Sequence, residues 1–280
     1  MRKVKIVTDS TIDISHEVIE EYEITIVPLS ITIDGNTYID GVDIAADEFM
    51  KKMKDAKELP KSSQPPVGQF VHVYDQLAED GSVIISIHMT AGMSGTVSSA
   101  ESAAQMTDAD VTVIDSRYIS KALSFQVIEA AKMAQQGASK KEILARVEEI
   151  RTKSSLFITV DTLENLVKGG RIGRGKALIG SLLNIKPIAS LQDGVYTPVA
   201  KVRSHSQIVN YLSNQFAEDV KGKTVKAVGI AHADALELAS KMKKAVLQIS
   251  PNCHVDISFT TPVISTHTGP GAIGFMYFAE

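Results

Sequence analysis

Residues 82–116 read SVIISIHMTAGMSGTVSSAESAAQMTDADVTVIDS. The stretch 83–87 is continuously apolar apart from one Ser and rich in Val and Ile, the pattern of a short strand buried on both faces. A Gly/Ser/Thr segment follows it. Residues 96–106, rich in Ala and Ser, then read as a helix able to pack closely, and 111–114 as a second buried strand. Strand, helix, strand at this spacing implies a parallel βαβ unit.

The same alternation extends in both directions. Upstream, 4–7 reads as a strand and 15–22 as a short helix. Residues 24–33 read as one strand, turning at Asp34-Gly35 into 37–39. Residues 45–54 carry Phe49, Met50 and Met53 at helical spacing, and 68–78 form a further helix. Downstream, 120–135 is helical. Ser139 and Glu142 form a capping box before a helix with Ile143, Leu144, Val147 and Ile150 as its apolar stripe. After about residue 155 the texture changes. Strand 156–160 leads to a short helix entered at Asp161 and stopped at Gly169-Gly170. Residues 185–191 and 195–202 flank a Gln192-Asp193-Gly194 turn. Helices opening near Ser204 and Asp234 alternate with strands 225–231, 254–259 and 274–278. The expectation is an α/β fold of two domains: a Rossmann-like parallel sheet over 1–155 and an α+β domain over 156–280. No hydrophilic linker separates them, so they share a large interface.

Composition narrows the function. The chain has 280 residues, 44% of them hydrophobic, and a net charge of −4, which gives no general attraction to nucleic acid or anionic membrane. Trp is absent and aromatics are 5%, against platforms for stacked bases. One cysteine, Cys253, excludes an intramolecular disulfide and thiol–metal clusters, and the seven histidines never take His-x-His or His-Glu-x-x-His spacing, so no metal or cofactor is expected. With no apolar run of bilayer length and no basic apolar leader, the cytoplasm is the expected location. Nine methionines suit either ordinary core filling or an irregular lipid pocket.

Four segments are candidates for chemistry. Met93-Ser94-Gly95-Thr96 lies between a strand and a helix, where ligands of open α/β sheets bind and where helix N–H groups favour an anion; Ser94 also suits a plain helix cap. Lys61-Ser62-Ser63-Gln64-Pro65-Pro66 reads as a proline-stiffened loop presenting hydroxyls, neither helix nor central strand. Thr266-His267-Thr268-Gly269-Pro270-Gly271 reads as a tight turn with His267 at its mouth. Residues 170–176 nearly spell a P-loop, but Ala177 stands where the Mg²⁺ hydroxyl belongs and no strand precedes it. A basic loop remains, with Arg171, Arg174 and Lys176 either docking a partner or phosphate or simply solvated. Ser94 and His267, with Asp9 or Asp115, can also be drawn as a hydrolase triad, although no Gly-x-Ser-x-Gly elbow is present.

Taken in order, these segments resemble the DegV family. The chain carries Val7-Thr8-Asp9-Ser10-Thr11 after its first strand, Pro60-Lys61-Ser62-Ser63-Gln64-Pro65, Ser94-Gly95-Thr96, Val113-Ile114-Asp115-Ser116, Lys168-Gly169-Gly170-Arg171-Ile172, His232-Ala233 and residues 266–271. Ser62 replaces the family's Thr and Met93 its Leu. The resemblance implies a ligand tunnel between two α/β domains. One fatty acid is buried there with its carboxylate on Ser62 and Ser94, Ser63, Gly95 and Thr96 close by, and His267 near the head group. On physical grounds, neutral hydroxyls and a histidine would let the bound acid be exchanged for acyl phosphate without a fixed arginine clamp. The resemblance also implies a non-catalytic, monomeric carrier. The carrier meets a separate ATP-dependent fatty-acid kinase transiently, through Arg171, Arg174 and Lys176, and passes acyl phosphate to phospholipid synthesis. The alternative is a serine acyl hydrolase or small phosphotransferase using Ser94 and His267.

Overall fold

In a computed structural model, residues 2–178 and 185–280 are described. Strands Val4–Asp9, Thr25–Val27, Val83–His88 and Val111–Asp115 form one all-parallel sheet. Val4–Asp9 and Val83–His88 lie at its centre. Every residue of Val83–His88 is buried, as its unbroken apolar run requires. A second sheet has six strands. In spatial order these are Val195–Val202, Lys186–Gln192, Ser154–Thr159, Ala272–Ala279, Val225–Ala233 and Val255–Phe259. Its neighbours are antiparallel except the last pair. The helix Ser120–Gln135 lies between the two sheets, and its Leu123, Val127, Ala130 and Ala131 share one core with Ile6, Ile85, Leu156 and Met276. The capping box at Ser139 and Glu142 is present with both its bonds.

The structure departs from the sequence reading in five places. The run 24–33 is two strands, not one. Thr25–Val27 joins the parallel sheet, while Ser30–Ile33 joins a separate three-stranded antiparallel sheet with Asn36–Ile39 and Lys61–Ser63. Pro28 has no N–H to continue a ladder, and the N–H of Leu29 donates to Ser10 Oγ (3.1 Å). Lys61–Ser63, read as loop, is an edge strand, a place where the prolines just after it do no harm. The segment before Gly269 is the helix Pro262–Thr268, with Pro at its first turn and Gly269 at φ 73° as its stop. Residues 173–178, read as part of a bare basic loop, form a 3₁₀ turn that buries Gly175 and Leu178. Asp161 and Asp234 do not cap helices; Asp161 instead pairs with Lys186.

Asp9 ties together the carboxyl ends of the two central parallel strands. It accepts from Thr11 N (3.0 Å), Thr11 Oγ1 (2.6 Å), Met89 N (2.8 Å) and His88 Nδ1 (3.1 Å). His88 Nε2 continues to Ser86 Oγ (2.6 Å) and that to the Tyr74 hydroxyl (2.8 Å). Burial pushes the Asp9 carboxyl up, but the hydrogen bond and charge of His88, with the Thr11 and Met89 bonds, outweigh it and leave the pKa below the ordinary value. A depressed carboxyl stabilises the fold above its unfolded pKa and loses that contribution as pH falls through its folded one. Asp9→Ala orphans four buried donors at once. Urea unfolding is expected to show a loss of about 3–5 kcal/mol, with Asp9→Asn losing less. An alanine variant within about 1 kcal/mol of the parent would contradict this role.

Candidate functional site

At the carboxyl ends of the parallel strands lies a cavity. Its polar end is made by Thr11, Ser62, Ser94, Arg171 and His267, and most of the rest is apolar, including Leu29, Met89, Met93 and Leu166. A second cavity adjoins it, lined by Leu156, Ala231, Ala272, Gly274 and Met276 together with Ser120 and Thr260. Ile119, Ile158, Ile264 and Thr268 are walls of both. The two cavities therefore lie side by side along a line from the tip of the parallel sheet, past the start of the central helix, to the face of the six-stranded sheet. Met89, Met93 and Met276 are thus wall residues as well as core filling.

Each polar side chain reaches the cavity through a different element. Ser62 is the inward residue of the edge strand Lys61–Ser63, paired with Ile31. Strand alternation turns its neighbours Lys61 and Ser63 outward, and both are exposed, so Ser63 is not a wall residue. Ser94 lies just before the helix Thr96–Ala104. Its Oγ bonds Thr96 Oγ1 (2.9 Å) and accepts from Thr96 N (3.3 Å). Thr96 is fully buried and orients Ser94 from behind. Gly95 does not open the backbone to a ligand, because a side chain there would collide with Gln64. Gln64 in turn donates to Ser99 Oγ (2.8 Å) and locks the Ser62 segment onto the helix.

His267, in the last turn of Pro262–Thr268, meets Ser62 Oγ through Nε2 at 2.7 Å. Its Nδ1 is buried without a hydrogen-bond partner among the described residues. Gly169 packs against that edge so closely that no side chain fits. Burial, with the nearby Arg171 charge, pushes the imidazole down to about 4, so the ring is neutral at pH 7.

Arg171 corrects the expectation of a site without a fixed arginine. Its Nε donates to Met93 O (3.0 Å) and its Nη1 to Gly169 O (2.7 Å), so two carbonyls from different segments fix the guanidinium on the cavity wall. Burial lowers its pKa from the usual arginine value, yet an arginine stays protonated at neutral pH. The Lys168-Gly169-Gly170-Arg171 spacing carried that signal: a short helix, two glycines, then a side chain turned back inward. Arg174 and Lys176 are exposed and outside the cavity wall. Thr11, unforeseen from the sequence, is held at the wall by Asp9.

The hydrolase arrangement is not assembled. His267 is bonded to Ser62 instead of Ser94, and no carboxylate orients its Nδ1 among the described residues. Asp9 is engaged with His88, and that Asp–His–Ser series is wholly buried beneath the cavity. The Asp115 carboxylate accepts from Arg117 N (2.8 Å).

Fold and site thus define a three-sheet α/β protein with two adjoining, largely apolar cavities, the first bordered by hydroxyls, a neutral imidazole and one arginine. This chain belongs to the DegV family, whose model matches residues 3–280. A DegV domain-containing protein of Staphylococcus aureus is 43% identical over 276 residues, 99% of each chain. One from Listeria monocytogenes is 43% identical over 281 residues, 100% of each. A DegV family protein from Thermus thermophilus, characterised for fatty acid binding, matches in structure with a TM-score of 0.94 at 29% identity, over 99% of this chain and 100% of that one. DegV of Bacillus subtilis, a fatty acid binding protein, matches with a TM-score of 0.91 at 32% identity, over the same shares. Among the described residues no helix is long and apolar enough to cross a membrane.

Proposed function

We propose that this protein is a carrier that buries one long-chain fatty acid. The carboxylate sits among Ser62, Ser94, Arg171 and His267, and the tail fills the chamber beneath Ala231 and Gly274. The observation that carries this reading is the pair of adjoining cavities with four wall residues in common, the first of which gathers two serines, an imidazole and a guanidinium on one side. Burying the tail yields about 0.8 kcal/mol per CH₂, so a long chain supplies on the order of 10 kcal/mol before ordering costs. A buried carboxylate needs donors and a counter-charge, which two hydroxyls and the fixed guanidinium provide. His267 accepts or donates at Ser62 without a charge of its own. The fatty-acid binding of the Thermus thermophilus and Bacillus subtilis proteins supports the same ligand class.

The finer reading is that the carrier itself has no turnover. It works in the cytoplasm as a monomer, divided near residue 155 into two domains. A separate ATP-dependent kinase phosphorylates the bound acid, and the acyl phosphate goes on to phospholipid synthesis. The outward position of Arg174 and Lys176 suits contact with such a partner.

The test is mass spectrometry of the purified protein, native and then after organic extraction. One extractable fatty acid per chain is expected, with Ser94→Ala retaining clearly less. A protein that is empty and also refuses added fatty acid would sink the reading; hydrolysis of acyl esters by the purified chain would favour the hydrolase instead.

A further inference from the structure

Two buried carboxylates outside the cavity wall grip the same short stretch of chain. Asp13, in the segment after the first strand, accepts from Thr260 Oγ1 (2.9 Å), from Thr261 N (2.9 Å) and from Ser120 Oγ. Asp40, at the end of the hairpin strand Asn36–Ile39, accepts from Ser10 Oγ (2.6 Å) and from Val263 N (3.3 Å). Residues 260–263 lead into the helix Pro262–Thr268, and the first N–H groups of a helix have no partner within it. Here two aspartates from the first forty residues take those donors. The same helix then presents Val263, Ile264 and His267 to the cavity.

We infer that Asp13 and Asp40 are positioning residues of the ligand site: by seating the start of the helix Pro262–Thr268 they hold His267 against Ser62, and ionisation of Asp40 loosens that seat and speeds ligand release. The inference rests on the reading that this cavity holds the fatty acid. Burial drives the Asp40 carboxyl up to about 7, and Asp13 and Asp9 push it the same way against the Ser10 and Val263 bonds. Burial raises the Asp13 carboxyl as well, and it stays above the ordinary value although three donors and the Lys121 charge oppose the rise. The other charges around Asp40 are few. Asp43, on its own loop, accepts from Ile39 N (2.7 Å). The helix Ala46–Asp55 turns Phe49 and Met50 inward and pairs Asp47 with Lys51 (3.5 Å) and Glu48 with Lys52 (3.6 Å) at the surface. His267, at the far end of the seated helix, is neutral at pH 7. The sign follows. A carboxyl whose folded pKa is raised favours the closed fold while protonated, and that contribution is lost as pH rises through about 7. When protonated, Asp40 still offers one oxygen to Val263 N. When ionised, it adds a charge to a buried site that already holds Asp9 and Asp13.

The test is the release rate of bound cis-parinaric acid by stopped flow between about pH 6 and pH 8, spanning the Asp40 transition. It is read beside the ring ¹⁵N resonances of His267 in ligand-free protein. Release from the parent should quicken on the order of tenfold across this range, the equivalent of one pK unit of coupling. Asp40→Asn keeps an oxygen for Val263 N and cannot ionise, so its release should be slow and independent of pH. Asp40→Ala should release fast throughout, with the His267 Nε2 resonance shifted away from its Ser62-bonded position. An asparagine variant that keeps the parent's pH profile overturns the inference, and it decides the matter if the alanine variant does not fold. If the protein takes up no parinaric acid but His267 still responds to pH through Asp40, the positioning stands and the fatty-acid reading falls. If it binds the acid while release and the His267 signal are flat with pH, the positioning falls and the fatty-acid reading stands.

Discussion

Arg171→Met should weaken long-chain fatty acid binding at pH 7 on the order of 1000-fold, from the roughly 3–5 kcal/mol lost when a buried charge is left without its partner. The methionine keeps most of the side chain's bulk, so the cavity wall stays closed and the loss is electrostatic. Met93 O and Gly169 O lose their donor too, which adds to the effect. The pH dependence separates this from a collapsed pocket. The parent binds the anion, so its advantage over the variant shrinks as pH falls towards the acid's own pKa, which for an alkyl carboxyl is about 4.3. The variant can bury only the protonated acid, and its affinity therefore rises as pH falls. Titration calorimetry at two pH values measures both. A variant with parent-like affinity at pH 7 would remove Arg171 from the head-group site.

Gly274→Leu should act at the opposite end. Gly274 lies on the wall of the second chamber, and a side chain there meets only the flexible end of Met276, with Cε at 3.4 Å. A leucine is therefore accommodated by filling the space proposed for the tail. Displacing about four methylenes at ~0.8 kcal/mol each costs roughly 3 kcal/mol, on the order of 100-fold in affinity for a long chain. A short acid that never reaches this chamber should bind the variant and the parent alike, and thermal stability should change little. Competition of short and long acids against one fluorescent fatty acid gives the comparison. Equal losses for both lengths would mean that the tail does not run beneath Gly274.

How much of this was legible in the chain follows the range of the interactions involved. The buried strand Val83–His88, the central helix Ser120–Gln135 and the capping box at Ser139 are local patterns of hydrophobicity and capping, and they were readable without tertiary information. The strand break at Pro28 was readable in principle, because a residue without an N–H interrupts a ladder. The helix Pro262–Thr268 was signalled by its leading proline and trailing glycine, but the dense Gly-Pro-Gly turn behind it drew the reading towards a loop. The order of strands in the six-stranded sheet has no local signature.

The site divides in the same way. Sequence alone singled out Ser62, Ser94 and His267 for the head group, because hydroxyls on a proline-stiffened segment and at a helix entry are chemically conspicuous, whereas Arg171 stood out only as part of a basic loop read as a partner or phosphate contact. Only the tertiary structure could decide that these four face one another, since they lie on separate elements and His267 is 205 residues from the Ser62 it bonds. It also turned Ser63 and Arg174 outward, a matter of strand alternation and loop packing that composition does not encode. And it alone placed Asp13 and Asp40 under the helix that carries His267, because a buried carboxylate takes its meaning from the donors that surround it, and here those donors come from the far end of the chain.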